Sequence, residues 1–166
     1  DGDDDDDDAE KDADGLLFNW LDLGRNVLGS TGALKVMSSL GDARVVTLDL
    51  SENNIRDEGF SHIASYMSNL KCLRKLNLRA NLAGDKGIGA LCKAMMMLNG
   101  LPQCATTVNV TDLDVAENHN LTQQGALELA HLAQRHAGLR RLSFLNDDLD
   151  EVGLRMLRLL HKAHHG

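Results

Sequence analysis

The chain has 166 residues, which is enough for one domain with its own hydrophobic core, and it contains one Pro and few aromatic residues. Its formal net charge is −8, and residues 1–14 carry −9, so residues 15–166 carry −8 − (−9) = +1. A nearly neutral body with sparse aromatic side chains argues against nucleic-acid binding. No apolar run reaches the length of a membrane span, which argues against a membrane protein.

The first feature along the chain is the segment DGDDDDDDAEKDAD, which holds ten acidic side chains and one Lys. Like charges repel, and the segment has nothing apolar to bury, so we expect residues 1–15 to be a disordered acidic arm or linker. The alternative is an electrostatic arm that meets a basic partner or the basic face of the body itself. The run lacks the Gly and the distal Glu of a calcium loop, which argues against calcium binding. Because the chain begins at Asp1 and not at Met, we expect a piece of a longer protein.

From residue 16 onward, one pattern recurs five times. Each copy has an apolar residue, a Leu three positions later, an apolar residue two positions further and a closing Gly, and the first four copies have an Asn three positions after the second apolar residue of the pair. The copies are FNWLDLGRNVLGSTG (18–32), VVTLDLSENNIRDEG (45–59), LRKLNLRANLAGDKG (73–87), VTDLDVAENHNLTQQG (110–125) and LRRLSFLNDDLDEVG (139–153). The successive Leu markers are separated by 27, 28, 37 and 29 positions, and they are Leu21, Leu48, Leu76, Leu113 and Leu142.

The apolar spacing changes within each copy. The L-x-L pair alternates with period two, which predicts a short strand with one buried face. After each Gly, apolar residues follow at helical spacing, four and eight positions on. Residue types that cap helix N-termini stand just before the Gly, and they are Ser30, Asp57, Asp85, Thr122 and Asp150. Each copy therefore predicts a strand, a turn and a helix, and stacked copies share a core that no single copy could bury.

This pattern, L-x-x-L-x-L-x-x-N-x-(L/I) followed by a helix at a period near 28, resembles the leucine-rich repeat of the ribonuclease-inhibitor type. The resemblance implies an α/β fold, namely a leucine-rich repeat solenoid (a right-handed β-α superhelix) of about five repeats. A parallel sheet would form the concave face, and helices would form the convex face. The expected repeat domain covers residues 16–166, with repeats at about 18–44, 45–72, 73–109, 110–138 and 139–163. The family is a scaffold for many partners, so the resemblance specifies fold more than function.

Two regions depart from the pattern. About nine residues are added around Asn99–Asn109, and they include Pro102. This insertion predicts a surface loop, either a tolerated insertion or a binding loop. In the last copy, Asp147 replaces the Asn and His161 replaces an apolar residue, which predicts a C-terminal edge that meets water.

Candidate groups for catalysis and metal binding are few. The Asn residues recur at one register, and we interpret them as a structural ladder because a site would not be copied four times. In HKAHH, His161 and His165 lie one helical turn apart and could hold a metal weakly, although a frayed helix end is favoured. No catalytic triad or phosphate loop is suggested. We therefore predict no catalytic residue, no metal site and no cofactor.

The cysteines bear on the cellular compartment. The chain has three of them, Cys72, Cys92 and Cys104, an odd number without the spacing of a metal site. Free thiols suit a reducing environment, so the sequence predicts a cytoplasmic protein.

The residues that the repeat leaves free are those that point outward from the strands. They include a Trp at one end, an acidic middle column and basic residues toward the rim, and Trp and Arg are frequent anchors in protein interfaces. The candidate partner-binding residues are Trp20, Asp22, Thr47, Asp49, Ser51, Lys75, Asn77, Arg79, Asp112, Asp114, Arg141 and Ser143. We predict a non-catalytic scaffold that binds a protein, and neither nucleic acid nor a membrane, through this concave face.

Several alternatives remain open at this point. The concave face could be a solvated surface without a partner, and Trp20 could cover the open N-terminal end of the core. The repeats beside an acidic run also resemble GTPase-activating proteins of the Ran kind, but here the run precedes the repeats and no catalytic residue can be assigned. A cytoskeletal or flagellar assembly subunit, or a repeat module of a larger receptor or ligase adaptor, would share the fold.

Overall fold

A computed structural model describes residues 17–41, 43–99, 109–144 and 147–149. The acidic arm, most of the insertion, the helix expected in the fifth copy and the histidines of HKAHH lie outside these ranges. The predictions made for those segments therefore stay predictions.

Strands and helices alternate along the chain as the repeat predicts. The strands are β1 (Leu17–Asp22), β2 (Arg44–Asp49), β3 (Lys75–Asn77), β4 (Asp112–Asp114), β5 (Arg141–Phe144) and β6 (Asp147–Leu149). The helices are α1 (Gly29–Leu40), α2 (Asp57–Tyr66), α3 (Asp85–Asn99) and α4 (Gln123–Arg135), and a turn of 3₁₀ helix (Met67–Asn69) follows α2. We call the strand, turn and helix of one copy a coil, so that coils one to five begin with β1 to β5.

The sheet follows chain order from β1 to β6, and its first five strands are parallel. The Leu markers of neighbouring coils stand directly opposite one another, from Leu21 beside Leu48 to Leu113 beside Leu142. This register confirms the alignment of the five copies, including the step of 37 residues across the insertion.

The core lies between the sheet and the helices, and it uses the predicted positions. Leu48 and Leu50 of coil two share the core with Ile63 of α2 and with Met67 of the 3₁₀ turn that follows it, and all four side chains are fully buried. Burying one such side chain contributes about 1.5–3 kcal/mol relative to leaving it in water. The strand period and the helix period therefore meet in one continuous core, as predicted.

The Asn ladder is confirmed in the described coils, and Asn81 shows it most fully. Its Oδ1 accepts hydrogen bonds from the backbone N–H groups of Asn53 (3.1 Å) and Ile55 (2.9 Å) in the preceding coil. Its Nδ2 donates to the carbonyl oxygens of Leu50 (3.0 Å) and Leu78 (3.0 Å). One side chain thus satisfies backbone groups of two coils that no water can reach.

The closing Gly residues of coils two and three, Gly59 and Gly87, are explained by the close approach of the preceding helix. A Cβ atom on Gly59 would lie 3.0 Å from Cα of Ser30, and one on Gly87 would lie 2.9 Å from Cα of Asp57. Real Cβ atoms almost never show the shorter of these distances and rarely show the longer one. The Gly therefore sets the spacing between successive helices.

The predicted helix caps mostly act on the next coil and not on their own helix, so this part of the prediction is wrong. Asp57 accepts from the N–H groups of Gly84 (2.7 Å) and Gly87 (3.0 Å) at the start of α3. Among the described caps, Thr122 accepts from its own helix, at Gln124 N–H (3.2 Å). Stacking at one repeat spacing places the starts of α3 and α4 beside Asp57 and Asp85 of the preceding coils, and each carboxylate offers an anion to the unpaired N–H groups there.

Asp85 makes the same contact from coil three to coil four. Its Oδ1 accepts from the N–H groups of Thr122 (2.9 Å) and Gly125 (3.0 Å), and its Oδ2 accepts from the Thr122 hydroxyl (2.6 Å). The hydrogen bond from that hydroxyl, followed by the backbone hydrogen bonds, lowers the pKa of Asp85 below its ordinary value of 3.8. The folded state therefore prefers the charged carboxylate.

Replacing Asp85 by Asn should lower the free energy of unfolding at neutral pH and should have no effect in strong acid. Because the folded pKa is lowered, the contribution of the carboxylate is fully present above the unfolded pKa and is lost as pH falls through the folded pKa. Urea unfolding of both proteins across the acid range measures this difference. The control is Glu58→Gln at the start of α2, where the carboxylate is 77% exposed. A deficit in the Asp85 variant that persists at the lowest pH would contradict the capping role.

Strand β6 was not predicted. It runs antiparallel to β5, with Phe144 opposite Asp147. A carboxylate cannot donate the hydrogen bonds that the ladder Asn gives to carbonyl oxygens in the inner coils. The Asn of the repeat pattern is therefore missing from the last copy, where β6 pairs with β5.

Candidate functional site

The outward-pointing side chains form two rows across the parallel strands. Direct register joins the members of the first row, which are Trp20, Thr47, Lys75, Asp112 and Arg141. The second row is also in register, and it consists of Asp22, Asp49, Asn77, Asp114 and Ser143. These rows line a shallow depression of about 610 Å³ on the concave face.

The structure brings most of the predicted site residues to this depression. Ten of the twelve line it, and the two that do not are Asp22 and Ser51. Asp22 lies at the end of the edge strand β1, and the Ser51 hydroxyl donates to Asp49 (2.6 Å). The geometry that a binding face needs is present, and the binding role of these residues stays a prediction.

The second row has a structural task that sequence analysis missed. Each acidic or amide side chain accepts from the backbone N–H two residues later and so closes the turn after its strand. The pairs are Asp22 with Gly24 (2.9 Å), Asp49 with Ser51 (2.8 Å), Asn77 with Arg79 (3.0 Å) and Asp114 with Ala116 (2.9 Å). Asp49 also accepts from Nδ2 of Asn77 (2.7 Å). A charge reversal in this row would therefore disturb the fold as well as any interface.

The first row is more exposed and carries both signs of charge. Trp20 is 67% exposed, which shows that it does not cover the end of the core, so that alternative is wrong. Lys75 is exposed as well. Arg141 approaches Asp112 (Nε to Oδ1, 3.8 Å), and the Arg141 side chain is 69% exposed. A rigid sheet thus holds an indole and alternating charges in solvent.

A second set of ion pairs lies along the rim beside the strand ends. Arg79 contacts Glu117 (2.6 Å) and lies 3.9 Å from Asp114, and Arg25 contacts Glu52 (3.0 Å). The residues predicted from the sequence did not include Glu117, Arg25 or Glu52, although each sits one position before a ladder Asn. Exposed pairs of this kind contribute only about 0–1 kcal/mol to stability.

Other chemistry is limited in the part of the chain that the structure describes. No group of three or more His, Cys, Asp or Glu side chains there is arranged to hold a metal ion. Cys72 and Cys92 are free thiols, and burial raises the pKa of the Cys92 thiol to about 12, so it stays protonated. None of the helices in these ranges combines the length and apolarity that crossing a bilayer requires.

Comparison with known proteins agrees with this architecture. The family model "Leucine Rich repeat" matches residues 45–64. NACHT, LRR and PYD domains-containing protein 3 of Homo sapiens is 31% identical over 138 residues, which is 82% of this chain and 12% of that protein. Ribonuclease inhibitor of Mus musculus is 30% identical over 139 residues, which is 82% of this chain and 28% of that protein. The chain therefore spans less than a third of the length of either relative.

A solved structure supports the fold at lower sequence identity. Leiomodin-1 Actin-Binding Site 2 superposes with a TM-score of 0.66 at 18% identity, and the match covers 89% of this chain and 83% of that chain. At this identity the likeness concerns the fold alone. The repeat period, the buried Asn ladder and the two longer relatives lead to one conclusion: the chain is a leucine-rich repeat protein of the ribonuclease-inhibitor-like type.

Proposed function

We propose that this chain is a non-catalytic scaffold that binds a protein partner on its concave sheet face. The observation that carries the proposal is the depression of about 610 Å³, with the 67% exposed indole of Trp20 at one end of its lining. Exposed aromatic side chains on a rigid surface are frequent interface anchors, because burying them releases much water at little cost in side-chain entropy.

The relatives support a protein partner in general terms. One relative is by its name an inhibitor of ribonuclease, and the leiomodin-1 segment is by its title an actin-binding site. Both are consistent with a leucine-rich repeat scaffold that binds proteins. Neither name is transferred to this chain, so the identity of its partner stays open to experiment.

A non-catalytic role is supported by what the face contains. Its carboxylates contact backbone N–H groups or basic side chains, as Asp49 does with Ser51 and as Asp112 does with Arg141. These contacts support recognition by matched charges more than proton transfer. The alternatives of a GTPase activator and of a cytoskeletal subunit have no specific residue in their favour, so they stay predictions.

The test uses first-row residues, because they hold no turn together. Trp20→Ala and Lys75→Glu should each weaken capture of the partner from the native source at least about tenfold, which corresponds to about 1.4 kcal/mol. The melting temperature should stay close to that of the wild type, because Trp20 and Lys75 are exposed. The measurement is quantitative affinity capture with mass spectrometry.

The matched control is Lys35→Glu, which makes the same charge change on an exposed position of α1. It should capture the partner as well as the wild type does. Trp20 is the only Trp of the chain, so its fluorescence gives a direct second readout of contact at this face. If all variants capture the same proteins equally and the Trp20 emission does not change, the concave-face proposal fails.

A further inference from the structure

The convex face carries a second depression, which lies between α3 and α4. Its volume is about 510 Å³, and its lining consists of Gly89, Lys93, Met96, Met97 and Glu128. The first four of these residues occupy positions i, i+4, i+7 and i+8 of α3, so they share one side of that helix. Gly89 contributes no side chain, and a Cβ there would meet nothing within 4 Å. The depression is therefore an open surface on the side of the core opposite to the sheet.

This surface is apolar at positions where the repeat does not require it. Counted from the closing Gly, Met97 takes the place of Asn69 in coil two, and Leu127 on α4 takes the place of Ser61. The Ser61 hydroxyl donates to a carbonyl oxygen of its own helix (2.9 Å). Met97 is 63% exposed and Leu127 is 47% exposed. Because the fold of coil two has polar residues at these positions, the two apolar side chains indicate an interaction surface, and Met is enriched in the cores of interfaces.

The depression also carries one charge of each sign that the fold does not use. Lys93 is exposed and Glu128 is half-buried, and both line the depression. Neither side chain makes a hydrogen bond or an ion pair with any other residue that the structure describes. A surface with one unpaired cation, one unpaired anion and exposed apolar side chains is complementary to a copy of itself turned by 180°.

We propose that this convex surface is the interface of a symmetric dimer, in which a second copy of the same chain is the occupant. Helices α3 and α4 run side by side in the same direction, because each returns from a parallel strand. A two-fold axis between Lys93 and Glu128 therefore lays α3 of each copy antiparallel on α4 of the other. Lys93 of each copy meets Glu128 of the other, and Met97 packs toward Leu127 of the other. Every contact occurs twice, as a two-fold interface requires.

Other occupants match the charges of the depression less well. An acidic segment of a different protein would pair with Lys93 but would place like charges beside Glu128, and a basic segment would do the reverse. A second copy brings both charges and the apolar side chains in one fixed geometry. The convex surface lies on the other side of the core from the concave face, so the dimer leaves the concave depression open to a partner.

The first experiment measures self-association of the full chain by sedimentation equilibrium over a range of protein concentrations. The wild type should show a monomer–dimer equilibrium. Met97→Glu should raise the dissociation constant of the dimer at least tenfold, because it places a charge in the apolar part of the interface. Its melting temperature should stay close to that of the wild type, since Met97 is exposed. The controls are Lys35→Glu on α1 and Trp20→Ala on the concave face, and both should leave the dimer intact.

The second experiment tests whether the charged contact is reciprocal. Lys93→Glu and Glu128→Lys should each raise the dissociation constant at least tenfold, because each variant brings like charges together twice in its own dimer. An equimolar mixture of the two variants should dimerise as well as the wild type does. In that mixture, each chain supplies the charge that the other has lost, so both contacts again join opposite charges. Circular dichroism of each variant alone checks that it is folded.

Three results would overturn the proposal. If the wild type is monomeric at every concentration, the surface is left to a partner of different sequence. If the dimer is indifferent to Met97→Glu, the two copies meet elsewhere. If the mixture of the two charge variants associates no better than either variant alone, the contact between Lys93 and Glu128 is not the one that the two-fold axis requires.

Discussion

Replacing Asn81 by Leu is expected to lower the free energy of unfolding by about 3–5 kcal/mol, which is enough to unfold a marginally stable domain. Asn81 is 2% exposed and satisfies backbone groups of Asn53, Ile55, Leu50 and Leu78. Leu has a similar volume but no polar atom, so these buried groups lose their partners. A buried polar group without a partner costs about 1–3 kcal/mol, and partial relaxation keeps the total below the sum of the four.

The measurement is urea unfolding followed by circular dichroism, with Asn26→Leu as the control. Asn26 has the same ladder position but is exposed, and among the described residues its amide donates to Leu23 and Gly24 of its own coil. Water can replace those bonds, so the control should lose less than about 1 kcal/mol. If both variants lose the same free energy of unfolding, the ladder bonds between coils contribute no more to stability than the hydrogen bonds within a single turn.

The second large effect concerns Gly87 on α3. Gly87→Ala should destabilise the protein by about 1–3 kcal/mol through overpacking. The new Cβ would lie 2.9 Å from Cα of Asp57 and 3.0 Å from Cβ of Phe60, so α2 and α3 must move apart. That movement would also lengthen the hydrogen bond from Gly87 N–H to the Asp57 carboxylate, now 3.0 Å.

Gly89, two residues further on the same helix, is the matched control. A Cβ there meets nothing within 4 Å, and Gly is a weak helix former. Gly89→Ala should therefore stabilise the protein by about 0.5–1 kcal/mol, because Ala restricts the unfolded chain. Thermal and urea unfolding of both variants measure whether each substitution raises or lowers the free energy of unfolding. Destabilisation by both would indicate that α3 tolerates no added methyl group, whatever its position.

The regular part of the fold was predictable because the same residue types recur at fixed positions. The Leu pair gives the strand, the closing Gly marks the change to helical spacing, and the ladder Asn fixes the turn between them. The register of Trp20, Thr47 and Lys75 follows from aligning the copies. The partner of each helix cap was not predictable, since sequence spacing locates Asp57 but does not show that Gly84 of the next coil lies within reach.

The candidate site was predictable in outline only. Alternation along a strand shows which side chains leave the core, so ten of the twelve candidates do line one depression. The turn-closing role of Asp49 was missed because a carboxylate at a strand end has the appearance of a surface charge. An Asp or Asn followed two residues later by Gly or Ser is the signal that could have revealed it at Asp22 and Asp49. The ion pair of Arg79 with Glu117 joins residues 38 positions apart and needed the fold.

The Asn ladder also determines how unfolding spreads through the molecule. In the described coils, the ladder bonds that leave a coil reach an adjacent coil, over 25–31 residues among the first three coils and over 35–40 across the insertion. Each coil is therefore stabilised directly by its adjacent coils alone, as in a one-dimensional lattice with nearest-neighbour interactions. In such a lattice, loss of order begins at the end coils and advances one boundary at a time. Deleting one whole coil in register removes the folding free energy of that coil and of one interface between coils. Deleting half a coil instead disrupts the interfaces on both of its sides.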